Sequence, residues 1–326
     1  MSKLNKKEVV AIGNAMVDVF VKSDLKTIKK YNLNRDSMNL IDENKKNQLH
    51  EENLIHNMVA AGSAGNTIVG ISSFGGSGTF IGKINDDEVG NFFIKDMDNS
   101  RISFPLGASK NSVSTGCCTI FVEGDGTRTM CTYLGTGSLI SEQDIKKEDI
   151  VDHKICYLEG YLWDNQDAKE AMKKMVDIAK EDSQKISLTL SDKFCVERHR
   201  ESFNELIEGS VDILFANEDE INSMFQVTNI EESITILKNK NLIAAITRAE
   251  KGSVIINNEQ VLNIEPEKVE KVIDATAAGD LYAAGFLFGC ANNKSLQESA
   301  KYGSIAAGEI ISHFGTRAEK KLSSLI

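Results

Sequence analysis

The stretches Val211–Ala216 (VDILFA) and Leu242–Thr247 (LIAAIT) belong to a series of four short apolar runs in the second half of the chain. The other two are Ile155–Leu158 (ICYL) and Ile186–Leu190 (ISLTL). Consecutive runs have centres roughly 26 to 32 residues apart, which is the length of one βα repeat. They lack the regular alternation of a half-exposed strand, so they are typical of strands covered on both faces in a parallel sheet.

Helical patterns lie between these runs. One helix is predicted from six residues that fall on a single apolar stripe: Ala168, Ala171, Met172, Met175, Val176 and Ala179. Val9–Gly13 and Thr79–Ile84 indicate further strands of the same sheet. The pattern therefore predicts an α/β protein with a doubly wound, mainly parallel sheet flanked by helices.

Two regions break the βα pattern. Val17–Ile41 contains alternating apolar residues, and Ile102–Leu134 is rich in Thr, Val and turn residues, with Gly124–Asp125–Gly126 as a hairpin signal. We therefore predict a small discontinuous β-sheet lid formed by residues 17–41 and 102–135. The α/β core is then expected to comprise residues 1–16, 42–101 and 136–326.

The composition is that of an ordinary globular protein. The chain of 326 residues carries 37 Lys and Arg against 48 Asp and Glu, a net charge of −11. This charge argues against binding to nucleic acid or to an anionic membrane. With no secretory leader pattern and no long apolar stretch, we predict a cytoplasmic protein. Its assembly is expected to be a monomer or a homodimer. The six cysteines show no CxxC pair and are expected to be reduced.

Several familiar sites are missing from the sequence. There is no GxxxxGK[ST] phosphate loop, and no GxGxxG follows the first strand. The five histidines lack HExxH or HxH spacing, and there is no GxSxG nucleophile elbow. A P-loop enzyme, a dinucleotide-dependent dehydrogenase, a catalytic zinc site and an α/β-hydrolase are therefore disfavoured.

Polar residues follow the predicted strands at their carboxyl ends, where open parallel sheets bind ligands. They are Asn14, Asp18, Asp192, Asn217, Glu220, Thr247 and Arg248. Each alone reads as a helix cap or turn former. Their shared position at one sheet edge favours a common ligand crevice.

The segment Asp274–Asp280 (DATAAGD) is the sharpest local signal. Leu281, Ala284, Gly285 and Phe288 follow at helical spacing, so a helix is predicted to begin near residues 277–279. Small residues leave the first N–H groups of a helix uncovered, which makes an anion site, and Asp280 lies in the first turn. Alternatively, Asp280 only complements the helix dipole.

The residues together resemble the PfkB/ribokinase family of carbohydrate and nucleoside kinases. Asp274–Asp280 resembles the family's DTxGAGD signature, and Asn217–Glu220 its NxxE motif. The remaining matches are Ala61–Asn66, Gly82–Asp87 and Gly90 to the N-terminal glycine-rich motif, and Thr247–Gly252 to the TxGxxG segment. Leu158–Trp163 and His313–Arg317 are most similar to bacterial adenosine-kinase-like sugar kinases.

The resemblance implies a ribokinase-like fold and transfer of the γ-phosphoryl group of ATP to a hydroxyl group. Asp280 would be the general base, and the amides of Ala277, Ala278 and Gly279 would form the anion hole. The resemblance further implies substrate binding by Asn14, Asp18, Gly62, Ser63 and Asn66, and nucleotide binding by Asn217, Thr247, Gly252 and Thr276. Glu220 would hold Mg²⁺, mainly through water, and a monovalent cation such as K⁺ is a family possibility.

Three alanines depart from the family pattern: Ala275 replaces Thr, and Ala277 and Ala249 replace Gly. An alanine still supplies its N–H to an anion, so the anion site is retained on the condition that φ stays negative at the substituted positions. Two other functions are considered: a non-catalytic sensor of sugar or nucleotide, and a phosphate-ligand lyase or synthase.

The acceptor is either a nucleoside or a sugar, and an adenosine- or ribose-type substrate is favoured. A nucleoside requires an apolar slot for its base. The aromatic candidates for that slot are Phe104, Phe121, Tyr133, Trp163 and Phe194.

Overall fold

The computed structural model describes residues 6–110 and 112–326. The strands of this part of the chain are β1 (Lys7–Ile12), β2 (Met16–Lys22), β3 (Met38–Leu40), β4 (Ile55–Ala61), β5 (Gly78–Ile81), β6 (Ile84–Asn85), β7 (Ala108–Ser109), β8 (Gly116–Val122), β9 (Arg128–Tyr133), β10 (His153–Glu159), β11 (Lys185–Thr189), β12 (Ile213–Asn217), β13 (Ile243–Thr247), β14 (Ser253–Asn257) and β15 (Gln260–Ile264). Its α-helices are α1 (Leu25–Lys30), α2 (Glu43–Glu52), α3 (Ser63–Ser73), α4 (Glu88–Asn99), α5 (Lys147–Ile150), α6 (Gln166–Glu181), α7 (Lys193–Gly209), α8 (Glu218–Phe225), α9 (Ile230–Lys238), α10 (Ala278–Ala291) and α11 (Leu296–Ile310).

The main sheet confirms the predicted parallel core. Its strand order is β15-β14-β13-β12-β11-β10-β1-β5, and the pairs from β5 to β13 are all parallel. Only β14 and β15 are joined antiparallel at one edge. The four apolar runs of the second half form β10 to β13, which lie side by side in chain order.

The core occupies both faces of this sheet. Along β12, Leu214 and Ala216 face a cluster with α6 to α9, while Ile213 and Phe215 face a second cluster with α3, α10 and α11. Successive residues of a strand point to opposite faces. Both sets are buried because helices cover both faces of the sheet. The stripe predicted from Ala168 to Ala179 is the buried face of α6.

Helix α10 begins at Ala278, within the predicted range of residues 277–279. Its burial extends beyond the residues that predicted it, because the helix lies between α3 and α11 and against the sheet. Small residues permit this close packing: a Cβ on Gly285 would lie 2.4 Å from the backbone of Tyr302, and one on Gly70 would lie 2.6 Å from the Ala284 methyl. The apolar residues on several sides of α10 reflect three packing partners rather than one.

A separate sheet of five strands, here called the small sheet, has the order β3-β9-β8-β2-β4. The predicted hairpin at residues 124–126 joins β8 to β9, which pair antiparallel. The expected boundaries need one change: Ile55–Ala61, assigned above to the core, pairs antiparallel with Met16–Lys22 in the small sheet. Val17 and Val19 of β2 are buried in the same hydrophobic cluster as Ala60 of β4.

Two other observations bear on the sequence analysis. The cysteines are free, and all but Cys290 are fully buried. In the part of the chain that the structure describes, the helices are too short or too polar to span a bilayer.

Candidate active site

A cleft of about 420 Å³ lies between the carboxyl-end edge of the main sheet and the small sheet. It is lined by most of the predicted site residues: Asp18, Gly62, Ser63, Asn66, Asn217, Glu220, Thr247, Thr276, Ala277, Ala278, Gly279 and Asp280. Asn14 and Gly252 lie outside the lining. The tertiary structure thus brings segments from the whole length of the chain to one cavity.

Asp280 lies in the first turn of α10, half-buried at the cleft wall. Its Oδ1 accepts a hydrogen bond of 2.6 Å from the Ser63 hydroxyl, and its Oδ2 accepts one of 2.8 Å from the Asn66 amide. Thr67 donates to the Asp280 backbone carbonyl. Helix α3 therefore fixes both the position and the orientation of the carboxylate.

The N-terminus of α10 opens onto the same cavity. No side chain within residues 6–110 and 112–326 caps it, and a Cβ on Gly279 would meet only open space. The condition of a negative φ is not met at Ala277, whose φ is +61°. The chain turns through a left-handed residue and directly into a right-handed helix, a turn that points successive N–H groups the same way and favours an anion.

Asp18 approaches from the small sheet. Alternation along β2 turns Val17 and Val19 to the buried side and Asp18 to the cleft. Asp18 is only 8% exposed, and none of the described residues donates a hydrogen bond to its carboxylate. Cys118 and Ile120 of β8 line the cleft beside it, so a free carboxylate is set in an apolar wall.

Asn14 has a different partner. Its backbone N–H and side-chain amide both donate to Oε1 of Glu159, at 3.1 and 2.9 Å. Oε2 of Glu159 accepts from the Ala64 N–H in the first turn of α3. Gly62 packs against this turn with φ +92°, and a Cβ there would lie 2.1 Å from the Asn14 carbonyl oxygen. Asn14 thus holds the main chain around the site and does not face the cavity.

Asn217 and Glu220 form a capping box at the start of α8. The Asn217 side chain accepts from the Glu220 N–H, and Glu220 Oε2 accepts from the Asn217 N–H at 2.9 Å. The Asn217 amide also donates to Glu220 Oε1 at 2.6 Å. Thr247 lies next to Asn217 in the parallel register of β12 and β13. The two strands thereby present one continuous polar edge.

The other residues of the predicted crevice are accounted for by local structure. Asp192 caps α7 through the Cys195 N–H, and Arg248 pairs with Glu218 at 2.9 Å. Gly252 has φ +76° and abuts Ile264 and Pro266 of the β14–β15 region. Asp192, Arg248 and Gly252 are not part of the cleft lining.

The aromatic residues expected to form a base slot do not line the cleft. They pack in the core or lie on the surface: Phe104, Phe121, Tyr133, Trp163 and Phe194. The aromatic residues of the lining are Tyr161, Phe215 and Tyr282.

An ion pair bridges the cleft. Arg128, on β9 of the small sheet, contacts Asp274 at 2.7 Å, and both side chains are largely buried. Asp274 also accepts hydrogen bonds from the hydroxyl and N–H of Thr276. The small sheet is thereby connected to the segment that leads into α10.

A profile of the pfkB family carbohydrate kinases matches residues 6–322. The chain belongs to the PfkB family of carbohydrate kinases. This confirms the resemblance and the ribokinase-like fold, and it makes the protein a phosphotransferase that acts on a hydroxyl group of a sugar or nucleoside. The family uses ATP as phosphoryl donor.

Two solved structures are similar to this PfkB kinase over nearly the whole chain. Adenosine kinase from Sinorhizobium meliloti is 35% identical, with a TM-score of 0.90 and 98% of each chain covered. A probable sugar kinase from Rhizobium etli is 34% identical, with a TM-score of 0.91, 99% of this chain and 98% of the other. A more distant relative, 5-dehydro-2-deoxygluconokinase from Listeria monocytogenes, is 24% identical over 277 residues, which cover 82% of this chain and 85% of the relative.

Burial dominates the electrostatics of the kinase's cleft. It raises the pKa of Asp18 to about 7 against the positive charges of Arg317 and Arg128, and it raises the pKa of Glu220 to about 7 as well. Burial also raises the pKa of Asp280, although hydrogen bonds from Ser63 and Asn66 and the charge of Arg317 oppose the rise. The cleft therefore favours ligands that bring positive charge or hydrogen-bond donors to these carboxylates.

Sequence reasoning assigned no role to Glu159, Arg128 or Arg317. Glu159 carries the same signal as Asp192, a polar residue directly after a buried strand. Arg317 and Glu159 both lie in segments that carried the family resemblance. Arg128 follows a hairpin turn, where a single Arg has no distinguishing pattern.

Proposed function

We propose that this protein is an ATP-dependent nucleoside kinase that transfers the γ-phosphoryl group to a ribose hydroxyl, with Asp280 as general base. The observation that carries the proposal is the carboxylate of Asp280, held by Ser63 and Asn66 beside the uncapped N-terminus of α10. A base and an anion site lie next to each other, as phosphoryl transfer to a hydroxyl requires.

In the proposed reaction, Asp280 accepts the proton of the substrate hydroxyl as its oxygen attacks the γ-phosphorus. The bond from that phosphorus to the bridging oxygen of ADP breaks, and ADP leaves. The N–H groups of Ala277, Ala278 and Gly279 donate to the oxygens of the transferring group, where negative charge must be stabilised. Ser63 and Asn66 keep the base oriented.

The polar residues at the carboxyl ends of β12 and β13 and at the start of α8 suit a hydrated Mg²⁺ and a nucleotide. Among the described residues no cluster of three or more His, Cys, Asp or Glu is arranged to hold a metal. Mg²⁺ keeps several waters and needs only one or two carboxylates besides the phosphates. Glu220 would hold that water shell, while Asn217, Thr247 and Thr276 contact the nucleotide. When bound, the metal neutralises charge on the phosphates.

The acceptor site favours a ribose that carries an apolar base. The unpaired carboxylate of Asp18 can accept two hydrogen bonds from adjacent hydroxyls. The wall beside it is formed by Cys118, Ile120 and Met130, which offer no strong hydrogen-bonding group to further hydroxyls. This wall suits a flat heterocycle better than a fully hydroxylated hexose. The 35% identity to an adenosine kinase supports the same choice.

The small sheet would act as the lid over this substrate, with β4 as part of the lid. A lid excludes water and so protects ATP from hydrolysis.

A sugar acid is the second candidate acceptor, favoured by the similarity to a gluconate-type kinase. A sensor without turnover is the third possibility, and it rests on the alanines at positions 249, 275 and 277.

The base role is tested with Asp280→Asn. We expect kcat with adenosine, ATP and Mg²⁺ to fall by about 10² or more, because the amide cannot accept the proton. The fold should persist, since the Ser63 hydroxyl can rotate to accept a hydrogen bond from the new amide. Asp192→Asn is the matched control at the same sheet edge and should keep near-normal turnover. Near-normal turnover of Asp280→Asn would refute the base role.

The acceptor is tested with adenosine, its 2′-deoxy and 3′-deoxy forms, ribose and 5-dehydro-2-deoxygluconate. We expect kcat/KM to be highest for adenosine and to fall roughly 10²-fold for a deoxy form that leaves Asp18 unpaired. Higher kcat/KM for the sugar acid would replace the nucleoside assignment. Ligand binding by isothermal calorimetry without turnover of any acceptor would indicate a sensor.

A further inference from the structure

Arg317 lies behind the cleft wall and connects Asp280 to a second carboxylate. Its Nε and Nη2 donate to the same oxygen of Asp96 on α4, at 3.1 and 2.9 Å. Its Nη1 donates to Oδ1 of Asn66, whose amide nitrogen donates to Asp280. Asp96, Arg317, Asn66 and Asp280 thus form a continuous chain from the surface of α4 to the cleft.

We propose that Arg317, held by Asp96, is a positioning residue that orients the Asn66 amide toward Asp280 and keeps the Asp280 carboxylate ready to accept a proton. The proposal rests on the proposed function, in which Asp280 is the base. It assigns a role to a residue that does not itself line the cleft.

The orientation follows from hydrogen-bond chemistry. An Asn side chain has one acceptor and one donor end, and the two ends can exchange by rotation about the last bond. A guanidinium only donates, so the oxygen of Asn66 must face Arg317 and its NH₂ must face Asp280. Without Arg317, the amide could turn its oxygen toward the Asp280 carboxylate, where two acceptors would repel each other.

The charge of Arg317 acts in the same direction. Burial raises the pKa of Asp280, and the positive charge of Arg317 opposes that rise. The other ionisable groups around this carboxylate are negative or neutral: Asp18 on β2, Glu159 on β10 and Glu220 on α8, together with Tyr157 and Tyr161. Arg128 faces Asp18 from β9 and is paired with Asp274. Arg317 is therefore the positive charge that acts on Asp280, and it is joined to Asp280 through the side chain of Asn66.

Asp96 holds the guanidinium in place. Arg317 is 17% exposed and Asp96 25%, on a groove of about 630 Å³ that opens to solvent. A free Arg side chain at such a site has many rotamers, and pairing with Asp96 selects the one that reaches Asn66. Asn66 and Arg317 are 251 residues apart in the chain, so this contact exists only in the folded protein.

The test compares Arg317→Met with Arg101→Met, which removes an exposed Arg from the same groove. We expect Arg317→Met to lower kcat/KM about tenfold or more near pH 7, since small errors in the position of a reacting group are costly. The acid limb of its pH–rate profile should move to higher pH, so that raising the pH restores part of the loss. The sign follows because Asp280 holds its proton to higher pH without the positive charge. Arg101→Met should match the parent at every pH.

The double variant with Asp280→Asn separates positioning from a general structural effect. If Arg317 acts through Asp280, Arg317→Met should change the residual activity of Asp280→Asn by less than about twofold, measured at high enzyme concentration. An equal loss in both backgrounds, with an unmoved acid limb, would overturn the proposal. High activity of Asp280→Asn alone would instead refute the proposed base.

Asp96→Asn provides the same test if Arg317→Met folds poorly. It keeps the positive charge but weakens the grip on the guanidinium, so we expect a several-fold loss of kcat/KM that is again absent in the Asp280→Asn background. Arg317→Lys keeps the positive charge but loses the planar, multiply donating guanidinium. The acid limb of its pH–rate profile should therefore lie closer to that of the parent than the acid limb of Arg317→Met. A loss for Asp96→Asn that persists beside Asp280→Asn contradicts the proposal.

Discussion

At the scale of single residues, two alanines occupy left-handed backbone positions. Ala249 has φ +49° and Ala277 has φ +61°. These are the two positions at which the family motifs carry glycine. A side chain in this conformation costs about 1–2 kcal/mol because its Cβ crowds the following carbonyl oxygen. The surrounding fold therefore holds the two turns against a local backbone preference. Ala277 lines the cleft, and Ala249 follows two residues after Thr247, which lines it as well.

Ala249→Gly is expected to stabilise the protein. Removal of the Cβ relieves about 1–2 kcal/mol of strain, while the greater freedom of glycine in the unfolded chain costs about 0.5–1 kcal/mol. The net gain of roughly 0.5–1 kcal/mol should be measurable in the midpoint of denaturant unfolding. Ala108→Gly is the control, because Ala108 is also exposed but lies in an extended strand. It should lose stability, and a loss for Ala249→Gly as well would contradict the strain argument.

At the scale of elements, the start of α8 combines two roles in one pair of side chains. Asn217 and Glu220 cap the helix reciprocally, and they also line the cleft. A capping role alone would explain their positions. The burial of Glu220, which raises its pKa to about 7, sets this capping box apart from that of Ser295 and Glu298, which is exposed.

Glu220→Gln is expected to raise the Mg²⁺ concentration needed for half-maximal velocity several-fold, because it removes the charge that orients the metal-bound waters. In the parent, the Mg²⁺ concentration needed for half-maximal velocity should decrease as the pH rises from about 6 to about 8, because the metal competes with a proton for the Glu220 carboxylate, whose pKa is about 7. The Glu220→Gln variant should lose that pH dependence.

Glu298→Gln is the matched control, because it makes the same change in a capping box at the start of α11, remote from the cleft. Its Mg²⁺ titration should coincide with that of the parent. Coincidence of the Glu220→Gln curve with the parent curve would mean that Glu220 is only a helix cap.

At the scale of the whole molecule, the small sheet and the main sheet meet through Arg128 and Asp274. This pair joins β9 to the segment that precedes α10, and Arg128 also packs over the ring of Phe314. Because both partners are shielded from water, the attraction between their charges is screened less than in the exposed ion pairs of the surface. It is placed to hold the two sheets together across the cleft.

Arg128→Met is expected to loosen this closure. ATP hydrolysis without an acceptor should rise several-fold relative to phosphoryl transfer, because water enters the cleft more readily. The KM of the acceptor should rise as well. Both quantities are measured by comparing ADP release with and without acceptor.

Two further variants interpret that result. Arg35→Met removes an Arg that pairs with Glu123 and Asp125 within the small sheet, and it should leave hydrolysis unchanged. Asp274→Asn breaks the pair from the other side and should reproduce the effect of Arg128→Met. If only the Arg128 variant leaks, Arg128 acts on the ligands and not on closure.

The amino-acid pattern was enough to predict the parallel strands β10 to β13, the buried face of α6 and the position of Asp280 in the first turn of α10. These features depend on short-range periodicity and on the residues that begin a helix, which a linear pattern records. The tertiary structure alone decided that Ile55–Ala61 joins the small sheet, that Asn14 faces Glu159 instead of the cavity, and that Arg317 contacts Asn66. Such contacts join residues far apart in the chain, and their geometry is set by packing between sheets and helices, which no local pattern encodes.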